Sequence, residues 1–94
     1  MPLIARTIRI RGRVQGVSFR EAMRTMATQF GVVGWVRNRA DGSLEAFVQG
    51  EPVAVEDLLQ WTRLGPPNAR VDDFTTDVAT PDPSLTRFER RETA

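Results

Sequence analysis

The chain has 94 residues, 40% hydrophobic and 27% charged, an ordinary balance for one globular domain with one core. It contains neither cysteine nor histidine, which excludes disulfides, a thiolate nucleophile, the usual transition-metal ligands, a Ser-His-Asp triad and any histidine proton shuttle. A net charge of +1 is too small to imply a nucleic-acid partner, no apolar run is long enough for a bilayer, and Arg6 interrupts any secretory signal.

Residues 4–11 alternate, with Ile4, Ile8 and Ile10 interspersed by Thr7, Arg9 and Arg11, the period-two pattern of a half-buried strand. Gly12 and Gly16 then bracket a loop. From Phe19 the period lengthens: Phe19, Ala22, Met23, Met26, Ala27 and Phe30 share one face of an amphipathic helix. Ser18 and Glu21 have the spacing of a capping box at its start, and Gly31 is placed to end it. Residues 32–38 read as a second strand and residues 43–50 as a third, joined into a hairpin by the turn at 39–42. Pro52 suits the first turn of a second helix whose inner face is Val55, Leu58, Leu59 and Thr62. The Gly-Pro-Pro at 65–67 stops it. Residues 69–79 read as a fourth strand, and residues 84–91 as a short fifth with Leu85 as its buried residue. The order β-α-β-β-α-β, with two helices on one face of an antiparallel sheet, is the α+β ferredoxin-like or split-βαβ arrangement. That fold hosts many functions, so function must be argued from a site.

The charge is unevenly spread: residues 6–39 are rich in arginine and poor in acids, while 41–57 and 72–82 lean acidic. Arg20 sits in the first turn of the first helix, where a cation costs a few tenths of a kcal/mol against the helix dipole. A glycine loop running into a helix start can point successive N–H groups into one anion-binding concavity. Arg20 could fold over that concavity with a planar fork of donors suited to phosphate oxygens. The plainer account is a turn with an arginine on a solvated helix face, and the residues alone leave both open. The loop is neither a Walker A sequence nor G-x-G-x-x-G. Asn38, near the end of the second strand, reads as an ordinary strand-end polar residue, although the topology allows that end to lie beside the glycine loop. Arg9 and Arg11 read as the open, solvated face of the sheet, while Arg13 lies in the cradle and can also steer anions. Ser18 has no base to make it a nucleophile, and Gln15 can brace the loop.

Two long segments together resemble the acylphosphatase family: Ile10 to Arg20, "IRGRVQGVSFR", and Gly34 to Gly50, "GWVRNRADGSLEAFVQG". "GPPNARVDDF" at 65–74 resembles the family's loop after its second helix. Leu44 stands where the family more often has valine, and "FERRETA" is more polar than the family's closing strand. The resemblance implies metal-independent hydrolysis of the carboxyl–phosphate bond of acyl phosphates, giving a carboxylate and inorganic phosphate. It implies that Arg20 binds the phosphoryl group together with the backbone N–H groups of Arg13, Val14, Gln15, Gly16, Val17 and Ser18. It implies that Asn38 holds the attacking water. Phosphoryl transfer asks for positioning and charge stabilisation more than covalent chemistry, so a chain without histidine suffices.

Two rivals stand against this expectation. RNA-binding domains with the same strand order stack bases on aromatics of the first and third strands. Here those strands offer Thr7, Arg9 and Arg11 on one and the single aromatic Phe47, beside Glu45 and Gln49, on the other. A non-catalytic module like the one opening larger hydrogenase-maturation proteins would normally be followed by zinc-binding cysteine pairs, which this sequence lacks. The expectation is therefore one domain over residues 1–94 that takes a small acyl phosphate. It is expected to need no metal or cofactor, to bind neither nucleic acid nor membrane, and to be a monomer in the cytoplasm. The motifs specify the phosphate end of the substrate and say nothing of the acyl end.

Overall fold

The computed structural model describes residues 2–94. The elements are β1 (Ile4–Arg13), α1 (Phe19–Phe30), β2 (Val33–Asn38), β3 (Leu44–Gly50), α2 (Pro52–Leu64), β4 (Arg70–Ala79) and β5 (Phe88–Arg91). They form one five-stranded sheet in the order β4-β1-β3-β2-β5, with both helices packed against it. Every neighbouring pair among the first four strands is antiparallel. The expected antiparallel sheet is thus a mixed one, because β5 joins the edge at β2 in parallel. The chain leaves β4 at one end of the sheet and crosses along that end through residues 80–87, so β5 enters from it and runs back parallel to β2.

Hydrophobic periodicity accounts for the core. Ile8 and Ile10 of β1, Val36 of β2, and Leu44, Ala46 and Val48 of β3 are buried beneath Phe19, Met23 and Ala27 of α1 and Val55, Leu58 and Leu59 of α2. All four residues expected on the inner face of α2, Thr62 included, are buried. Phe19 and Trp61 meet edge to face, with ring centroids 5.7 Å apart, and join the two helices above the sheet. Such a contact adds to the area both rings bury.

Three local expectations change. First, β1 continues through Gly12 to Arg13, with a bulge against β4 between Arg11 and Gly12. Gly12 has φ 127°, and a Cβ there would lie 2.2 Å from the Arg70 carbonyl oxygen, so only glycine fits this approach. Second, Ser18 and Glu21 make no capping box. Ser18 is the N-cap of α1 but has φ 61°, in the left-handed region, and its side chain makes no cap hydrogen bond. A capping serine needs extended backbone to reach the N–H groups ahead of it, while Glu21 has a guanidinium partner, Arg24, at 2.7 Å. Third, the buried residue of β5 is Phe88 and not Leu85. Leu85 closes a turn by donating its N–H to the Asp82 carbonyl, and the strand begins only at Phe88.

Candidate active site

The loop between β1 and α1 is anchored where it leaves β1. Val14 is buried in the core. Gln15 Nε2 donates to the carbonyls of Arg39 and Ser43, at 2.9 and 3.0 Å, tying the loop to the β2–β3 hairpin. Gly16 has φ 72°, so two left-handed residues, Gly16 and Ser18, flank Val17. Such a turn curls successive N–H groups toward one side. The first hydrogen bond of α1 runs from the Ala22 N–H to the Ser18 carbonyl, at 3.0 Å. The N–H groups of Phe19, Arg20 and Glu21 are therefore the open donors of the helix start.

Sheet register brings Asn38 to this loop. Ile10 of β1 pairs with Leu44 of β3, and Leu44 pairs with Asn38, the last residue of β2. β1 and β2 thus run the same way on either side of β3, and β2 ends at Asn38, level with Ile10, while β1 continues to Arg13 before the loop. That juxtaposition was open in the sequence and follows from strand order.

A cavity of about 320 Å³ lies where these parts meet. Val14, Gly16 and Ser18 line it from the loop, Phe19, Arg20 and Glu21 from the first turn of α1, Asn38 from β2 and Arg90 from β5. Arg20 Nη1 donates a long hydrogen bond, 3.4 Å, to the Arg91 carbonyl. Asn38 Oδ1 is buried and has no hydrogen-bond partner among the described residues. A buried amide oxygen left unpaired typically costs about 1–3 kcal/mol, so a donor is owed to it in the working protein. The Asn38 backbone is held separately, its carbonyl accepting from the Ala94 N–H at 3.0 Å.

The other expected loop residues do not line the cavity. Arg13 pairs opposite Arg70 at the end of the β1–β4 ladder and is exposed. Val17 packs against the core, and the Gln15 side chain is spent on the brace just described. Arg9 and Arg11 lie away from the site, where Arg9 meets Glu45 and Arg11 meets Asp41, both at 3.4 Å. On that side of the sheet Trp35 and Phe47 stack at 6.3 Å, with the guanidinium groups of Arg37 and Arg91 each 4.9 Å from the Trp35 ring centre.

Two cavity residues escaped the sequence reading. Glu21, taken there as a cap, accepts from Arg24 Nε at 2.9 and 3.1 Å and from Arg24 Nη2 at 2.7 Å. These bonds, with the further charge of Arg90, hold its carboxyl below the usual glutamate range. Arg90 sits on β5 opposite Val36, with Nη1 3.7 Å from Glu21 Oε1. The polar "FERR" strand was the signal for it, but its parallel docking beside α1 was not legible.

The acylphosphatase family model matches residues 6–90. A curated acylphosphatase of Acidiphilium cryptum is 50% identical over 91 residues, 97% of this chain and 99% of that one. The chain belongs to the acylphosphatase family. It is a hydrolase acting on acyl phosphates. The crystal structure of acylphosphatase from Bacillus subtilis superposes with a TM-score of 0.89 at 30% identity, covering 94% of this chain and 98% of that one. Full-length HypF, in its phosphate- and nucleotide-bound form, superposes with a TM-score of 0.88 at 26% identity, but the match spans only 12% of that chain.

Proposed function

We propose that residues 1–94 act as one domain that cleaves the carboxyl–phosphate bond without a metal, through the β1–α1 loop, Arg20 and Asn38. The observation that carries this reading is the buried, unpartnered Asn38 Oδ1 in the same cavity as Arg20. The loop N–H groups on the cavity side, at Val14, Gly16 and Ser18, and the Arg20 guanidinium take the phosphoryl oxygens and stabilise the charge that spreads over them in a loose transition state. A water donates one hydrogen to Asn38 Oδ1, which orients its lone pair toward phosphorus. The water oxygen bonds to phosphorus as the bond from phosphorus to the bridging oxygen breaks, and the carboxylate leaves with that electron pair.

A carboxylate is a good leaving group and needs no general acid. Asn38 cannot accept the water proton, and Glu21 is a poor base because Arg24 holds it ionised and occupied. The proton passes to a phosphoryl oxygen of the substrate itself. A monomer in the cytoplasm, with no cofactor and neither nucleic acid nor membrane as partner, suffices for this chemistry. Among the described residues no helix is long and apolar enough to cross a membrane.

The test is hydrolysis of benzoyl phosphate in EDTA by the wild type, Arg20→Ala and Asn38→Ala. Turnover by the wild type, with each variant slowed about 100-fold or more, is the expected result. A wild type that binds inorganic phosphate yet turns over nothing would make this chain a binding module, as would be expected of a non-catalytic relative.

A further inference from the structure

The mechanism uses one wall of the cavity and leaves the other without a task. That second wall is Glu21 of α1 and Arg90 of β5. We propose that Arg90 is an anion subsite for the acyl end, so that the preferred substrates are acyl phosphates bearing a carboxylate on the acyl group. The inference rests on the reading of Arg20 and Asn38 given above.

Position comes first. Val36, the ladder partner of Arg90, is fully buried under the helices, so Arg90 shares the helix-side face of the sheet. At an interior strand that face would bury it. On the edge strand β5 it reaches the first turn of α1 instead, with its side chain 44% exposed at the cavity.

Its donors are also unspent. Among the described residues its only ion-pair partner is Glu21, and 3.7 Å is too long for a hydrogen bond. Glu21 is already satisfied by three hydrogen bonds from Arg24. The same three bonds argue against Glu21 as a site for a cationic acyl group, because Arg24 offsets its charge. A planar guanidinium with free donors is matched to a carboxylate by geometry as well as charge. The apolar alternative is weak: Val14 and Phe19, the apolar lining residues, are each 1% exposed and offer an apolar acyl group almost no surface.

The experiment compares kcat/KM for benzoyl phosphate with that for 3-carboxybenzoyl and 4-carboxybenzoyl phosphate, whose rigid rings prevent intramolecular attack. The wild type is expected to favour one carboxylated isomer about 10-fold, the scale of a charge-assisted hydrogen bond at a half-exposed site. The preference should lie in KM, because the contact exists before and during the reaction. Arg90→Gln should bring the ratio of carboxylated to plain substrate to about one. Arg90→Glu should invert the charge preference, favouring 4-(trimethylammonio)benzoyl phosphate. Because each variant is compared across substrates, a partial loss of folded protein cancels from the ratio. An absent wild-type preference for both isomers overturns the subsite, as does a preference that Arg90→Gln leaves intact. In either case hydrolysis of benzoyl phosphate leaves the proposed function standing. A wild type inert toward benzoyl phosphate removes that function and the subsite with it.

Discussion

The two walls of the cavity are built differently. The wall formed by the β1–α1 loop and Asn38 hangs on fixed anchors: Val14 buried in the core, Gln15 bonded to two hairpin carbonyls, and Asn38 placed by sheet register. The wall formed by Glu21 and Arg90 consists of half-exposed side chains held by one another and by Arg24. The difference fits the two tasks proposed for them. Positioning a phosphoryl group and a water requires sub-ångström constancy, because a misplacement of about 1 Å can cost about 100-fold in rate. Recognising an acyl substituent tolerates a mobile guanidinium and can change with one residue.

The largest effects are expected at the wall of the loop and Asn38. Arg20→Ala and Asn38→Ala should each lower kcat about 100-fold or more, but should differ toward inorganic phosphate as an inhibitor. Arg20→Ala should weaken phosphate inhibition, whereas Asn38→Ala should leave it nearly unchanged, since the proposed role of Asn38 is to hold the water. Equal weakening in both would mean that Asn38 is a phosphate ligand. Next comes Gly12→Ala at the bulge behind the loop, where a Cβ would meet the Arg70 carbonyl. Denaturant unfolding should show a loss of about 2–3 kcal/mol from strain and clash.

Smaller again is Gln15→Ala. The Arg39 and Ser43 carbonyls keep other donors, the N–H groups of Gly42 and Arg39. The stability cost should therefore be only about 1 kcal/mol. Activity should fall further than that figure alone implies, about 10-fold, as the loop loses its brace. An activity loss no larger than the stability loss would argue that the loop is rigid without the brace.

The smallest effect is an acid limb in stability. Asp41, in the turn beside the brace, accepts from the Ser43 hydroxyl at 2.6 Å and the Ser43 N–H at 2.9 Å. These bonds pull its pKa from the ordinary 3.8 down to about 2. A folded pKa below the unfolded one gives stability that is present above pH 3.8 and lost as pH falls toward about 2. The Tm of the wild type should drop across that window, and Asp41→Ala should make the drop shallower.

Sequence periodicity carried most of the fold, because burial on one face of a helix or strand leaves a mark in the residues themselves. The inward face of α2 was legible for that reason, and the hairpin from the turn residues at 39–42. The site was only half legible. Arg20 and the glycine loop are contiguous, so local physics and family resemblance both pointed to them, and Arg20, Val14, Gly16 and Ser18 line the cavity. Asn38 needed the strand order to bring it beside the loop. Ser18 misled because its serine matches a cap motif while its backbone is left-handed, and a dihedral angle leaves no trace in a spacing rule. Leu85 misled because hydrophobicity alone cannot say where a short edge strand begins. Arg90 was invisible as a site residue because its meaning depends on β5 docking in parallel against β2, next to α1.

In the proposed mechanism a water attacks phosphorus, held by the loop and Arg20, and leaves the acyl carbon untouched. Single-turnover hydrolysis of benzoyl phosphate in ¹⁸O-labelled water tests this directly. The account predicts that the label appears in inorganic phosphate and that the released benzoate stays unlabelled. Label in the benzoate would mean attack at the carbonyl carbon, and would contradict the roles given to Arg20 and Asn38.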